Sequence, residues 1–114
     1  MDREILDRGI ALFNHSAFFE AHEVLEDVWR GAPEAEKRFL QGLIQIAVGL
    51  HHHSNGNLDG ACSLLARGAA NLKGYQDDFG GIDVPSLREA ALAWSEALRR
   101  SEPTPPLPRI RFRG

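Results

Sequence analysis

The chain holds one cysteine, one methionine and one tyrosine among its 114 residues. A lone Cys62 closes no internal disulfide, so the fold must rest on a packed core, and a reducing compartment such as the cytoplasm is expected. Long apolar runs are missing too. The most apolar stretch, Gly42 to Leu50, is short and broken by Gln45, whereas a membrane-spanning helix needs roughly 20 apolar residues. Met1-Asp2-Arg3-Glu4 opens onto no apolar segment, so no secretory leader is expected. Nor is there an excess of positive charge. Lys and Arg number 13 against 16 Asp and Glu, a net charge of −3, which argues against a general nucleic-acid binder. The balance is uneven along the chain. Residues 103–114 carry three arginines and no acid, leaving 10 basic against 16 acidic residues before them.

What is present suits a single globular domain: 43% hydrophobic and 25% charged residues. Apolar residues recur at helical spacing in five segments. The first, residues 2–13, follows a capping Asp2. The second, about 17–30, has Ser16 as its expected cap and stops at Gly31. The third runs from Pro33 to about His53. The fourth follows Asn57 and carries its apolar stripe as far as Tyr75, with Cys62 beside it as a small core residue. The fifth spans about Pro85 to Arg99. Short connections favour antiparallel neighbours. The expected fold is all-α, a compact bundle of about five helices over residues 1–102, with an extended arm over 103–114.

The arm follows from its prolines. Pro103, Pro105, Pro106 and Pro108 forbid helix and favour a polyproline path. After them, Arg109 to Arg113 alternates, which in an extended chain sets Ile110 and Phe112 on one side and the arginines on the other. Such an arm either straps its own bundle or is left mobile, or it docks on a second subunit, making a homodimer, or on an acidic partner.

Candidate chemistry sits on the second and third segments. At about 100° per residue, Phe18, Ala21, Val24, Leu25, Val28 and Trp29 form the apolar arc of the second helix. His22 and Glu26, four residues apart, fall beside that arc instead of on the charged face, flanked by Phe19 and Trp29. A carboxylate so placed needs a partner, and i, i+4 side chains touch. On the third helix Gln41, Gln45 and His52 share a narrow sector bordered by Gly42 and Gly49. If that sector faced the His22/Glu26 edge, the two helices would enclose a polar pocket in an apolar wall. Three uses are open for it. One is a divalent-metal site of His22 and Glu26, completed by His52 or Gln45. Another is an acid/base dyad of His22 and Glu26 acting on water or moving protons, since no Ser or Cys stands out as a nucleophile. The third is a buried polar network that fixes helix register. His22-Glu23 begins like H-E-x-x-H, but Glu26 holds the second histidine's place, which excludes that zinc motif. His51, His52 and His53 cannot converge on one ion, because consecutive helical side chains diverge.

Phe18-Phe19-Glu20-Ala21-His22-Glu23-Val24-Leu25-Glu26-Asp27-Val28-Trp29, then Phe39-Leu40-Gln41-Gly42-Leu43-Ile44-Gln45 and Asn57-x-x-Gly60-Ala61, resembles domain-of-unknown-function family 309 over roughly residues 5–75. The resemblance implies a small all-helical protein with His22, Glu26 and Trp29 as suspected site residues. It implies no substrate, cofactor or reaction. The expected function is therefore the binding of a metal ion or small polar ligand at His22 and Glu26, lined by Phe19, Trp29, Gln41, Gln45 and His52. The alternative is a helical interaction or oligomerisation module.

Overall fold

A computed structural model describes residues 1–113, so the last residue of the arm lies outside it. Three helices begin where a short polar side chain meets free backbone N–H groups. Asp2 accepts from Ile5 N ahead of α1 (Arg3–Asn14). Asn57 accepts from Gly60 N ahead of α4 (Leu58–Leu72), and Asp83 from Ser86 N ahead of α5 (Val84–Arg99). Between them lie α2 (Phe18–Gly31) and α3 (Glu34–Ser54), neither with a side-chain cap. A 3-10 turn, Phe79–Gly81, precedes α5. Among the described residues the only extended pairing is one bridge, Ile82 with Phe112. The protein is all-α.

The expected Ser16 cap does not form, and the reason is local. Ser16 takes φ +63° to close α1: its N–H donates to Phe13 O and Ala17 N–H to Leu12 O, the two bonds of a Schellman ending. With Ser16 spent on α1, Ala17 stands at the α2 cap position. The same two-bond ending closes α3 at Gly56 and α5 at Ser101.

Helices pack mainly on their chain neighbours, with the longest, α3, between α2 and α4. Leu6, Ile10, Phe13, Leu25, Phe39, Leu43 and Ile46 are fully buried in the common core. Gly42 and Gly68 set the α3–α4 spacing. A Cβ on either would stand 2.9 Å from the other's carbonyl oxygen, so only glycine lets the two backbones approach this closely.

One expectation changes here. The apolar stripe ends with α4 at Leu72, and Tyr75 sits in the loop that follows. Its hydroxyl reaches into α3, accepting from Phe39 N at 3.1 Å and donating to Ala35 O at 3.0 Å. The arm lies along its own bundle. Trp94 Nε1 donates to Pro106 O at 3.0 Å, and Ile110 is buried to 1% exposure. Asp83 N donates to Arg111 O and Arg113 N to Gly81 O. Phe112 stays 58% exposed beneath the Arg3 guanidinium.

Candidate functional site

His22 and Glu26 meet as their spacing requires, with Nε2 3.3 Å from Oε1. The other ring nitrogen, Nδ1, stands 2.5 Å from Phe19 O, so it donates to that carbonyl and the ring orientation is fixed. Both side chains are partly exposed, and Glu26 also meets Arg30, 3.4 Å from its Oε2. This is a surface cluster with water access. The Phe19 ring lies edge-on to His22, with centroids 4.9 Å apart, and edge-on to His51, at 5.2 Å. Phe19 therefore links α2 to the end of α3.

The expected sector of α3 turns elsewhere. Gln45 is buried and accepts from Asn71 of α4 at 2.6 Å, and His52 meets Asn57 at 3.4 Å. The cause is the pair Gly42 and Gly49, which border the sector and bring α4 against it: a Cβ at Gly49 would stand 3.0 Å from Leu65. Gln41 makes no side-chain hydrogen bond among the described residues. Trp29 carries Lys37 over its ring at 4.3 Å. Gln45, bonded to Asn71 of α4, is thus turned from the expected enclosure of His22 and Glu26. Likewise, among the described residues no three His, Cys, Asp or Glu side chains are grouped to hold a metal ion. His22, Glu26 and His52 do not form the expected three-ligand set.

The residue that sequence reasoning passed over is His51. It lines a cavity of about 460 Å³ with Phe18, Leu50, His53, Ser54 and Trp94, while Ser16 and the arm from Thr104 to Leu107 complete the wall. That volume lies within the range of small-molecule sites. Asn55 Nδ2 donates to His51 Nε2 at 3.2 Å, which leaves the neutral ring its proton on Nδ1. His53 packs edge-on against Trp94 at 4.9 Å. Neither His22 nor Glu26 lines this cavity; they stand next to it through Phe19 and His51. A signal was present in the sequence: His51 and His53 leave the last turn of α3 on faces other than that of His52.

A five-helix domain with a half-open cavity at one end and a polar pair beside it is the class this fold defines. The chain belongs to the family described as Domain of unknown function (DUF309), whose pattern matches residues 6–64. That segment covers α1, α2, α3 and the first turns of α4, and so includes His22, Glu26 and His51 but neither Trp94 nor the arm. Over 88 residues, 76% of this chain, it is 30% identical to an uncharacterized protein of Aquifex aeolicus (strain VF5), covering 26% of that protein. Over 50 residues, 43% of this chain, it is 46% identical to the uncharacterized protein YpuF of Bacillus subtilis (strain 168), covering 29% of it. The matched stretches thus span little more than a quarter of the length of these curated relatives. None of the described helices is long and apolar enough to cross a membrane.

Proposed function

We propose that this chain binds a small, uncharged polar molecule with a planar apolar body in the cavity beside His51. The observation that carries the reading is the lining itself. His51, His53, Ser16 and Ser54 line the cavity together with Phe18, Leu50 and Trp94, the Ser54 hydroxyl donating to His51 O. No Lys, Arg, Asp or Glu lines it, so an ionised ligand would be desolvated there without a countercharge. In this reading His22 and Glu26 are positioning residues, holding Phe19 against His51.

The test is ligand-observed NMR with a panel of uncharged aromatic fragments bearing a hydroxyl or amide. Ser54 is exposed, so Ser54→Trp should narrow the cavity mouth without unfolding the domain. Fragments that bind the parent and fail on Ser54→Trp support the reading. Fragments that bind neither protein, or both equally, overturn it.

One observation favours a second use of the pair. A ring nitrogen fixed through Nδ1 and a carboxylate oxygen 3.3 Å from Nε2 suit one edge of a tetrahedral cation site, whose ligand bonds run about 2.0–2.1 Å. Its remaining ligands would come from solvent or another molecule. Calorimetric titration with Zn²⁺ on the parent and on Glu26→Gln decides it: heat lost in the variant supports the cation, and no heat in either excludes it.

A further inference from the structure

Near the first turns of α3, roughly 20 Å along that helix from His51 at 1.5 Å per residue, lies a second cleft. It has a volume of about 220 Å³, and its walls include Lys73, Gly74, Tyr75, Asp77 and Arg88. Arg88 is half-buried, and its Nε is sealed from solvent with no hydrogen-bond partner. Two other buried side-chain atoms lack a hydrogen bond, but each meets a charge: Asp7 Oδ1 faces Arg3 at 3.1 Å, and Glu36 Oε1 faces the N-terminal amine at 2.7 Å. Arg88 Nε meets none. A buried donor left unpaired calls for an explanation.

Nε itself is closed to the cleft, yet among the described residues no hydrogen bond or ion pair engages any nitrogen of the Arg88 guanidinium, which lines the cleft, and the surroundings point to its use. Arg38 of α3 donates from Nη2 to Lys73 O at 2.7 Å, and the same nitrogen stands 3.5 Å from where a Cβ on Gly74 would lie. Three cations, Arg38, Lys73 and Arg88, therefore flank the cleft. Among the described residues none of the three forms an ion pair, and Asp77 is the one acid in the lining. The lining itself sets two cations, Lys73 and Arg88, against Asp77, an excess of one positive charge, and Arg38 adds a second from behind Lys73 and Gly74, in a chain whose net charge is −3.

We propose that this cleft is an oxyanion site that takes the phosphate group of a small molecule. Arg88 and Lys73 are its direct ligands, and Arg38 adds charge from α3. The guanidinium fork suits a phosphate, and the lysine serves as a point charge beside it. A phosphate dianion answers both the excess charge of the lining and the Arg38 charge behind it, whereas a carboxylate answers the lining's excess alone. The volume is below that of drug-sized pockets, so the phosphate seats in the cleft and the rest of the molecule extends into solvent. Asp77 competes with the ligand for the same cations.

The test is a titration with inorganic phosphate, then with glycerol phosphate, at constant ionic strength. It is read on the arginine Nε–H resonances of the ¹⁵N-labelled protein. Saturable movement of the Arg88 resonance is expected, with acetate binding more weakly than phosphate. Lys73→Met, at an exposed position, should weaken phosphate about tenfold, the equivalent of one charge-assisted hydrogen bond, and Asp77→Asn should strengthen it. Arg88→Met should abolish saturation while the protein still melts cooperatively; if that variant unfolds, Lys73→Met carries the test. An Arg88 resonance unmoved by phosphate overturns the proposal. So does equal binding of acetate and phosphate, or phosphate binding unchanged by both Lys73→Met and Asp77→Asn.

Discussion

Asn14 and Ile110 exchange two hydrogen bonds across most of the chain: Nδ2 donates to the Ile110 carbonyl at 2.9 Å, and Oδ1 accepts from its N–H at 2.8 Å. One side chain at the end of α1 thus satisfies both backbone groups of a buried arm residue. Burying the isoleucine side chain contributes about 1.5–3 kcal/mol, and the amide holds it in register. Asn14→Ala leaves two polar groups without partners and should cost about 1–3 kcal/mol in urea unfolding. Asn14→Asp keeps the acceptor and should fall between. Limited trypsin digestion should cut at Arg109 and Arg111 sooner in Asn14→Ala than in the parent. Unchanged stability and unchanged cutting would mean the arm does not depend on this clasp.

The five helices were legible in the sequence because their signals are local. Asp2, Asn57, Pro33 and Pro85 mark starts, and apolar periodicity marks the buried faces. The His22–Glu26 contact was legible for the same reason, as it depends only on helical spacing. Which side of α3 meets α2 was not. Gly42 and Gly49 announce that a backbone comes close, but that it is α4's backbone depends on Gly68 answering Gly42, a pairing between elements. Ser16 shows a different limit. Its residue type suits a helix start, and competition from the end of α1 decided its role. The cavity escaped notice because its walls come from the turn between α1 and α2, the start of α2, α3, α5 and the arm, which only the tertiary fold assembles.

Ser101 holds φ +55° at the close of α5, a conformation that costs a non-glycine residue on the order of 1 kcal/mol. Ser101→Gly relieves that cost, partly offset by the greater freedom of glycine in the unfolded chain. The variant should melt higher by up to a few degrees. A lower melting temperature would show that the serine side chain contributes something beyond its backbone role.

Glu96 lies between two arginines of the last turn of α5. Hydrogen bonding from Arg99, and then from Arg100, holds its carboxyl below its usual value, while Arg99 is raised in turn. A depressed carboxyl binds fewer protons folded than unfolded. Its contribution is therefore present above the ordinary carboxylate pKa and lost as pH falls through the folded value. The side chain is about half exposed, so the effect is small and screened by salt. Glu96→Gln should flatten the acid limb of the stability–pH curve slightly below about pH 5, and less so in 1 M salt. A variant that destabilises equally at every pH would rule out this linkage.

His22 decides whether the polar pair carries the fold or serves the cavity. Its Nδ1 meets a first-turn carbonyl, and Glu26 retains Arg30 and water when the imidazole is removed. His22→Ala therefore strands no buried charge. It should cost under about 1 kcal/mol, in contrast to the roughly 1–3 kcal/mol expected when a buried polar group is orphaned. The double change His22→Phe with Glu26→Leu puts apolar groups of similar size on a half-exposed edge and should melt no lower than the parent. What both variants should alter is His51, because the Phe19 ring between them loses its polar neighbour. The His51 ring-proton resonances should shift in His22→Ala, and any fragment that binds the cavity should bind more weakly, with stability nearly unchanged. A loss of several kcal/mol with the His51 resonances unmoved would make the pair a brace of α2 alone, with no part in the cavity.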